Sequence, residues 1–177
     1  ELEQIDESIA NVIISSEHFH SRICNSEEIN DLKNLLDKYF HKITIICYLR
    51  EQADTYKSLY STSIKSGNGE NFEQMGEKCN KQNIYYNYFK LLQMWSDIFG
   101  KENITVKIFD RNKLLNNSII DDFFNIIDPV LIKKLNLPPK TNLSLSDDGL
   151  RLGLLINRGF SKLKRRKENI MLRNDIL

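Results

Sequence analysis

The sequence predicts an α/β fold: a parallel sheet between flanking helices in three layers, with more helix than strand. Three observations carry this reading. Short apolar runs alternate with longer segments of helical periodicity, the order of βαβ units with right-handed crossovers. Ile43–Tyr48 (ITIICY) is almost continuously apolar, as a parallel strand buried on both faces is. The 177 residues, 41% hydrophobic and 28% charged, are enough for one domain with a real core and too few for two ordinary ones.

The elements follow in order. Asn11–Ile14 (NVII) reads as a first, short strand, followed by the polar SSEHFH. Ser26–Phe40 reads as a helix with Ser26 as N-cap, acids in its first turn, and Ile29, Leu32, Leu35, Leu36 and Phe40 on one face. Ile43–Tyr48 is the second strand. A helix over Gln52–Lys65 is stopped by Ser66-Gly67-Asn68-Gly69. Phe72–Asn80 fits neither pattern cleanly. Lys81–Phe99 reads as a long helix, with Tyr85, Phe89, Leu92, Trp95 and Phe99 on its apolar face and Gly100 as its C-terminal stop. Ile104–Phe109 is the third strand, Asp110 begins a turn, and Ile119–Ile127 is a short amphipathic helix ending before Asp128-Pro129. Leu137-Pro138-Pro139 is a linker, and Ser146–Arg158 a last helix capped by Ser146. The expected organisation is one α/β domain over residues 1–177, with a basic extension at 159–177.

Composition excludes several classes. A formal net charge of +1 gives no general attraction to nucleic acid or to an anionic membrane, so any anion site must be local. No apolar run reaches the ~20 residues that span a bilayer, and the first residues lack the basic and apolar regions of a secretory signal. Cys24, Cys47 and Cys79 form an odd set without metal-ligand spacing, and Cys47 suits a small buried hydrophobe. A reducing, cytoplasmic location, no nucleic-acid partner and no metal are expected. The N-x-[ST] triplets at Asn103, Asn116 and Asn142 match what an Asn-rich chain yields by chance.

The strongest candidate site is at the end of the second strand. Arg50 follows the strand directly, and Ser58 lies eight residues later on the next helix. A guanidinium presents a planar fork to a phosphate and stays charged, and a hydroxyl can donate to the same anion. Unpaired N–H groups at the helix start are expected to help. The bland alternative pairs Arg50 with Glu51 or Asp54 and leaves Ser58 an ordinary helix residue. A second candidate is the cluster after the first strand, where Glu17, His18 or His20 could serve as a general base. There the alternative is a capping or surface cluster. Tyr85 and Tyr86 are the aromatics that could approach a ligand; the other rings read as core. Lys162–Lys167 reads as a solvated charged face.

YLREQADTYKSLYS resembles the bacterial sulfotransferase pattern, in which a strand ends in Tyr-Leu-Arg and a helix carries Ser-Leu-Tyr. SSEHF, YYNYFKLLQMWSDIFG, VKIFDRNKL and NLSLSDDGLRLGLLIN resemble further blocks of that family in the same order, over most of Asn11–Asn157. The resemblance implies a P-loop-like sulfotransferase domain that binds the sulfate donor PAPS (3′-phosphoadenosine-5′-phosphosulfate) and releases PAP. In it, Arg50 and Ser58 hold the 3′-phosphate, and Glu17, His18 or His20 is the base. The acceptor is expected to carry a hydroxyl or amino group, on a glycan or other cell-surface molecule. The rival readings are a non-catalytic α/β module that binds a protein or glycan, and another nucleotide-dependent transferase.

The family also has a Gly- and Ser/Thr-rich loop whose backbone N–H groups cradle the 5′-phosphosulfate. None of the seven glycines stands between a strand and a helix upstream of Arg50. The sequence is therefore expected to be part of a longer protein, with that loop N-terminal to Glu1; the alternative is a domain that has lost the loop and with it catalysis.

Overall fold

The computed structural model describes Asp6 and residues 9–134 and 145–160. The expectations for Leu137-Pro138-Pro139, Asn142 and Lys162–Lys167 lie outside the described residues. The chain divides into two compact units, Glu1–Leu49 with Asn80–Lys107 and Arg50–Cys79 with Ile108–Leu177. It is helix-rich, with a small two-stranded parallel sheet among the described residues. The α/β reading stands at that coarse level.

The first unit is built on two amphipathic helices. A short helix α1 (His18–Arg22) leads into α2 (Ser26–Leu36), whose N-cap is Asn25: its side chain accepts from the Glu28 N–H at 2.9 Å. Ser26 is thus the first helical residue and not the cap. The Asn25 carboxamide reaches the third residue of the helix, the geometry that an N-cap needs. The strand β1 (Ile45–Leu49) follows, half-buried along its whole length.

The other helix of this unit, α5 (Tyr88–Phe99), begins seven residues later than its periodicity predicts. Asparagines explain the delay. The Asn80 side chain accepts from the N–H groups of Gln82 and Asn83, and that of Asn83 accepts from Tyr85. Asn87 donates to the Lys81 carbonyl and caps α5 through the Lys90 N–H. These local bonds satisfy backbone groups that a helix would otherwise use. The apolar stripe then falls on Leu91, Trp95 and Phe99, all buried, whereas Phe89 is 78% exposed. Leu91, Trp95 and Phe99 pack with Ile29 and Leu36 of α2, and Trp95 stacks on Phe99 with ring centroids 5.6 Å apart. Gly100 ends α5 at φ 86°, as its position predicts, and the Asn103 amide donates to the Phe99 carbonyl at 2.7 Å. The strand β2 (Ile104–Ile108) pairs with β1.

Asn11–Ile14 is not a strand. A strand exists only by pairing, and these residues join no ladder among the described residues; Val12, Ile13 and Ile14 stay 37–46% exposed. Apolar character and β-branching supply a preference, not a partner.

The second unit is helical. Here α3 (Gln52–Lys65) has the predicted bounds and ends at Ser66 and Gly67, the latter at φ 94°. Next, α4 (Phe72–Gly76) resolves the ambiguous stretch: Asn71 and Gln74 close a capping box. The helix α6 (Ile119–Ile127) also matches its prediction, with Ser118 as cap, and it buries Asp122, whose carboxylate accepts from the Leu115 N–H at 3.2 Å. The last helix, α7 (Asp147–Phe160), is capped by Ser146 as expected and packs on α3.

Candidate functional site

Helix α3 presents Asp54, Lys57, Ser58 and Ser61 at the i, i+3, i+4, i+7 spacing that aligns side chains on one face. This stripe, with Arg50 just before the helix, lines a cavity of about 380 Å³ within the second unit. The cavity is also lined by Phe72 from α4, by Leu145 just before α7, and by Asp147 and Leu150 from its first turn. The Leu145 N–H donates to Ser61 Oγ at 3.4 Å, tying the entry of α7 to the stripe. The size lies within the range typical of small-molecule sites.

Arg50 and Ser58 thus line one cavity, as the sequence pattern implies. Arg50 is exposed and makes no ion pair among the described residues, so the bland pairing with Glu51 or Asp54 is not formed. Ser58 is half-buried. One expected aid does not operate. The start of α3 is capped by Glu51, whose carboxylate accepts from the Asp54 N–H at 2.9 Å. Bonds to the Ala53 and Asp54 N–H groups hold this carboxyl below its ordinary pKa. An anion at Arg50 would therefore meet side chains and not open helix N–H groups.

Lys57 lies next to Ser58, with its ammonium 3.6 Å from Asp54. An exposed pair of this kind is worth little, so the ammonium can turn to a ligand at small cost. The cavity holds two cations, Arg50 and Lys57, and two carboxylates, Asp54 and Asp147. It suits one phosphate, not a dense polyanion.

Phe72 packs against two tyrosines of α3. Its ring is 4.5 Å from that of Tyr56 and 5.1 Å, edge-on, from that of Tyr60, measured between centroids. Its carbonyl accepts from the Tyr56 hydroxyl. Burial pushes both tyrosine phenols up, which keeps them protonated and able to donate.

The other candidates belong to the first unit. Glu17 precedes α1 and is exposed, as is His18. His20 is half-buried, with Nε2 2.9 Å from the Tyr85 carbonyl and its ring stacked on Tyr85 at a centroid distance of 4.0 Å. A carbonyl only accepts, so Nε2 carries the proton and Nδ1 is the basic nitrogen of the neutral ring. Burial, partly offset by this bond, holds the imidazole below its ordinary pKa. His20 and Tyr85 thus pack on each other, with the basic Nδ1 outside that bond. Burial pushes the Cys47 thiol up, in keeping with a packed, unreactive residue.

Periodicity missed Phe72 and Asp147 as cavity residues because they come from distant segments. Lys57 was legible in the stripe along α3. Among the described residues no cluster of three His, Cys, Asp or Glu side chains could hold a metal. No described helix is long and apolar enough to cross a membrane.

The chain is similar to an uncharacterized protein of Archaeoglobus fulgidus, 30% identical over 135 residues, which cover 76% of this chain and 35% of the relative. It therefore spans about a third of that relative's length. No family model matches the chain, and no solved structure matches it.

Proposed function

We propose that this chain carries the donor-binding part of a sulfotransferase that moves a sulfuryl group from PAPS to a hydroxyl or amino group, on a glycan or other cell-surface acceptor. The observation that supports the reading most is the shared cavity of Arg50 and Ser58, the two residues that the family resemblance assigns to the donor's 3′-phosphate. The donor set fits that role. Arg50 offers a charged fork without a protein partner among the described residues, Ser58 a hydroxyl, and Lys57 a second cation. The residues fit one end of the nucleotide, since the cavity has no glycine-lined cradle for a phosphosulfate.

The donor supplies the activated sulfuryl group, and the chain's own part is to hold the phosphate and to take a proton from the attacking group. Glu17 and His18 are the exposed candidates for that base, and His20, half-buried with Nε2 bonded to the Tyr85 carbonyl, would act through Nδ1. Glu17→Gln and His18→Asn should each leave PAP affinity unchanged, and the variant that loses sulfuryl transfer identifies the base.

The test of the reading is PAP binding by the full-length protein, measured by calorimetry and by thermal shift. A ligand that binds only the folded state raises stability with its concentration. Wild type should bind PAP, and Arg50→Ala should lose at least tenfold in affinity, in line with a charge-assisted phosphate contact of about 1.5–3 kcal/mol. The unliganded Arg50→Ala protein should melt with wild type, because Arg50 is exposed and unpaired among the described residues. No binding by wild type at millimolar PAP would end the proposal. The same experiment run with other nucleotides separates it from a different nucleotide-dependent transferase. If Arg50→Ala unfolds and nothing binds, the chain is a non-catalytic module.

A further inference from the structure

The two-stranded sheet is less covered than a parallel sheet requires. Parallel strands occur almost only where both faces of the sheet are packed, and an isolated strand pair is marginal at best in water. Ile45 and Ile104 do pack against the cluster built by α2 and α5. Side chains alternate along a strand, so Val106 and Ile108 continue the row that Ile104 begins. There the cover ends: Val106 is 43% and Ile108 54% exposed, while Thr105 and Lys107, on the other face, are half-buried. The apolar face is thus the wetter one, the reverse of a strand with one solvated side. No residue of β1 is fully buried either. The first unit also leaves Val12, Ile13 and Ile14 exposed and in no ladder among the described residues.

We propose that an apolar segment of the same polypeptide, lying outside residues 1–177, seats on the Val106 and Ile108 side of β2 and completes the cover of this sheet. Area and length choose this occupant. The open row offers two aliphatic side chains, far below the ~800 Å² per partner of a stable interface between separate molecules. A segment of the same polypeptide needs no such area, because its docking loses little translational and rotational freedom. The length to supply it exists in a protein of this kind: the match takes in 35% of the Archaeoglobus fulgidus relative, so most of that relative lies outside the matched part. The placement bears on the cavity as well. β1 ends at Leu49 and Arg50 is the next residue, so whatever closes the sheet also steadies the strand end that carries Arg50. The inference stands whether or not Arg50 holds a nucleotide.

The experiment uses the full-length protein. Val106→Lys should lower the melting temperature by at least about 5 °C, because it sets a charge in a covered apolar place. Phe89→Lys, at a site 78% exposed on α5, should stay within about 1 °C of wild type. If Val106→Lys does not fold, Val106→Thr decides, since it keeps the shape and the β-branch: a fall of about 2 °C or more supports the cover, and no fall overturns it. Photo-cross-linking identifies the occupant, with p-azidophenylalanine in place of Ile108 and a mixture of isotopically light and heavy protein read by mass spectrometry. A cross-link to a peptide outside residues 1–177, formed within one molecule, supports the proposal. Cross-links confined to residues 1–177, or joining light to heavy copies, overturn it. A Val106→Lys protein that melts with wild type also overturns it, since the face is then open to water.

Discussion

Replacing Asn157 should unlock the turn behind the cavity helix. This residue is fully buried on α7, and its Nδ2 donates to the Ile64 carbonyl at 2.9 Å and the Asn68 carbonyl at 2.7 Å. Both carbonyls lie where α3 gives way to the loop leading to Phe72, so one amide joins α7 to the end of α3. The two acceptors fix the orientation of the amide, since a flipped carboxamide would set oxygen against oxygen. The cost is visible in Oδ1, which is buried without a partner among the described residues. In Asn157→Ala, two hydrogen bonds are lost and a buried carbonyl is orphaned at about 1–3 kcal/mol, while removal of Oδ1 relieves part of that. The net destabilisation should be about 2–4 kcal/mol. Asn157→Asp is sharper, because it points a carboxylate at two carbonyl oxygens. Its folded pKa must rise above the unfolded value near 3.9. A raised carboxyl pKa means that the neutral form is favoured by folding, so its contribution is fully present below the unfolded pKa and is lost as pH rises through the folded one. The deficit of Asn157→Asp against wild type should therefore be smallest below about pH 4 and largest at neutrality. Urea unfolding followed by far-ultraviolet circular dichroism measures all three proteins at pH 4 and pH 7. If Asn157→Ala unfolds within about 0.5 kcal/mol of wild type, the carbonyls are satisfied in another way and the latch does not exist.

Other outcomes follow from the same geometry. Gly100→Ala should lose about 1–3 kcal/mol by urea unfolding, because φ 86° is a conformation side chains rarely adopt and a Cβ would come within 2.5 Å of the flexible Glu102 carboxylate. Trp95→Ala should cost about 3–5 kcal/mol in the same assay, since it empties the centre of the first unit between Phe19 and Phe99. NMR titration should place His20 below the ordinary histidine pKa, and Tyr85→Ala, which takes away the burying ring, should move it back up. A depressed folded pKa means that the His20 contribution is present above the unfolded pKa and is lost as pH falls through the folded one. Glu51→Gln should lower the melting temperature at pH 7 and converge on wild type in acid, because the lowered carboxyl pKa gives a contribution that disappears as pH falls through it.

The elements read correctly from sequence are those whose ends are written locally. Gln52–Lys65 has Glu51 to cap it and Ser66-Gly67 to stop it, and Ile119–Ile127 has Ser118 before it and Asp128-Pro129 after it. Each boundary is decided within a few residues, so the periodicity between them is enough. Lys81–Tyr88 went astray for an equally local reason: its aromatic spacing is helical, but Asn80, Asn83 and Asn87 hold the backbone in turns. Asn11–Ile14 failed for the opposite reason, since a strand is a property of two segments and its own composition cannot supply the second.

The cavity divides along the same line. Arg50, Lys57 and Ser58 are close in sequence on one helical stripe, and helical geometry alone converts that spacing into a shared face. Phe72, Leu145 and Asp147 reach the cavity through separate elements, and nothing in their local sequence reports the encounter. The division has a chemical consequence. The charged half is the half that pattern can find, and by itself it describes any small anion. The half assembled by tertiary packing adds a ring packed against Tyr56 and Tyr60 and a further carboxylate. Sulfate or inorganic phosphate would engage the first half alone, so weak binding of those ions could not separate a nucleotide site from a generic cationic patch. Binding of PAP well above that of inorganic phosphate, lost in Arg50→Ala, could.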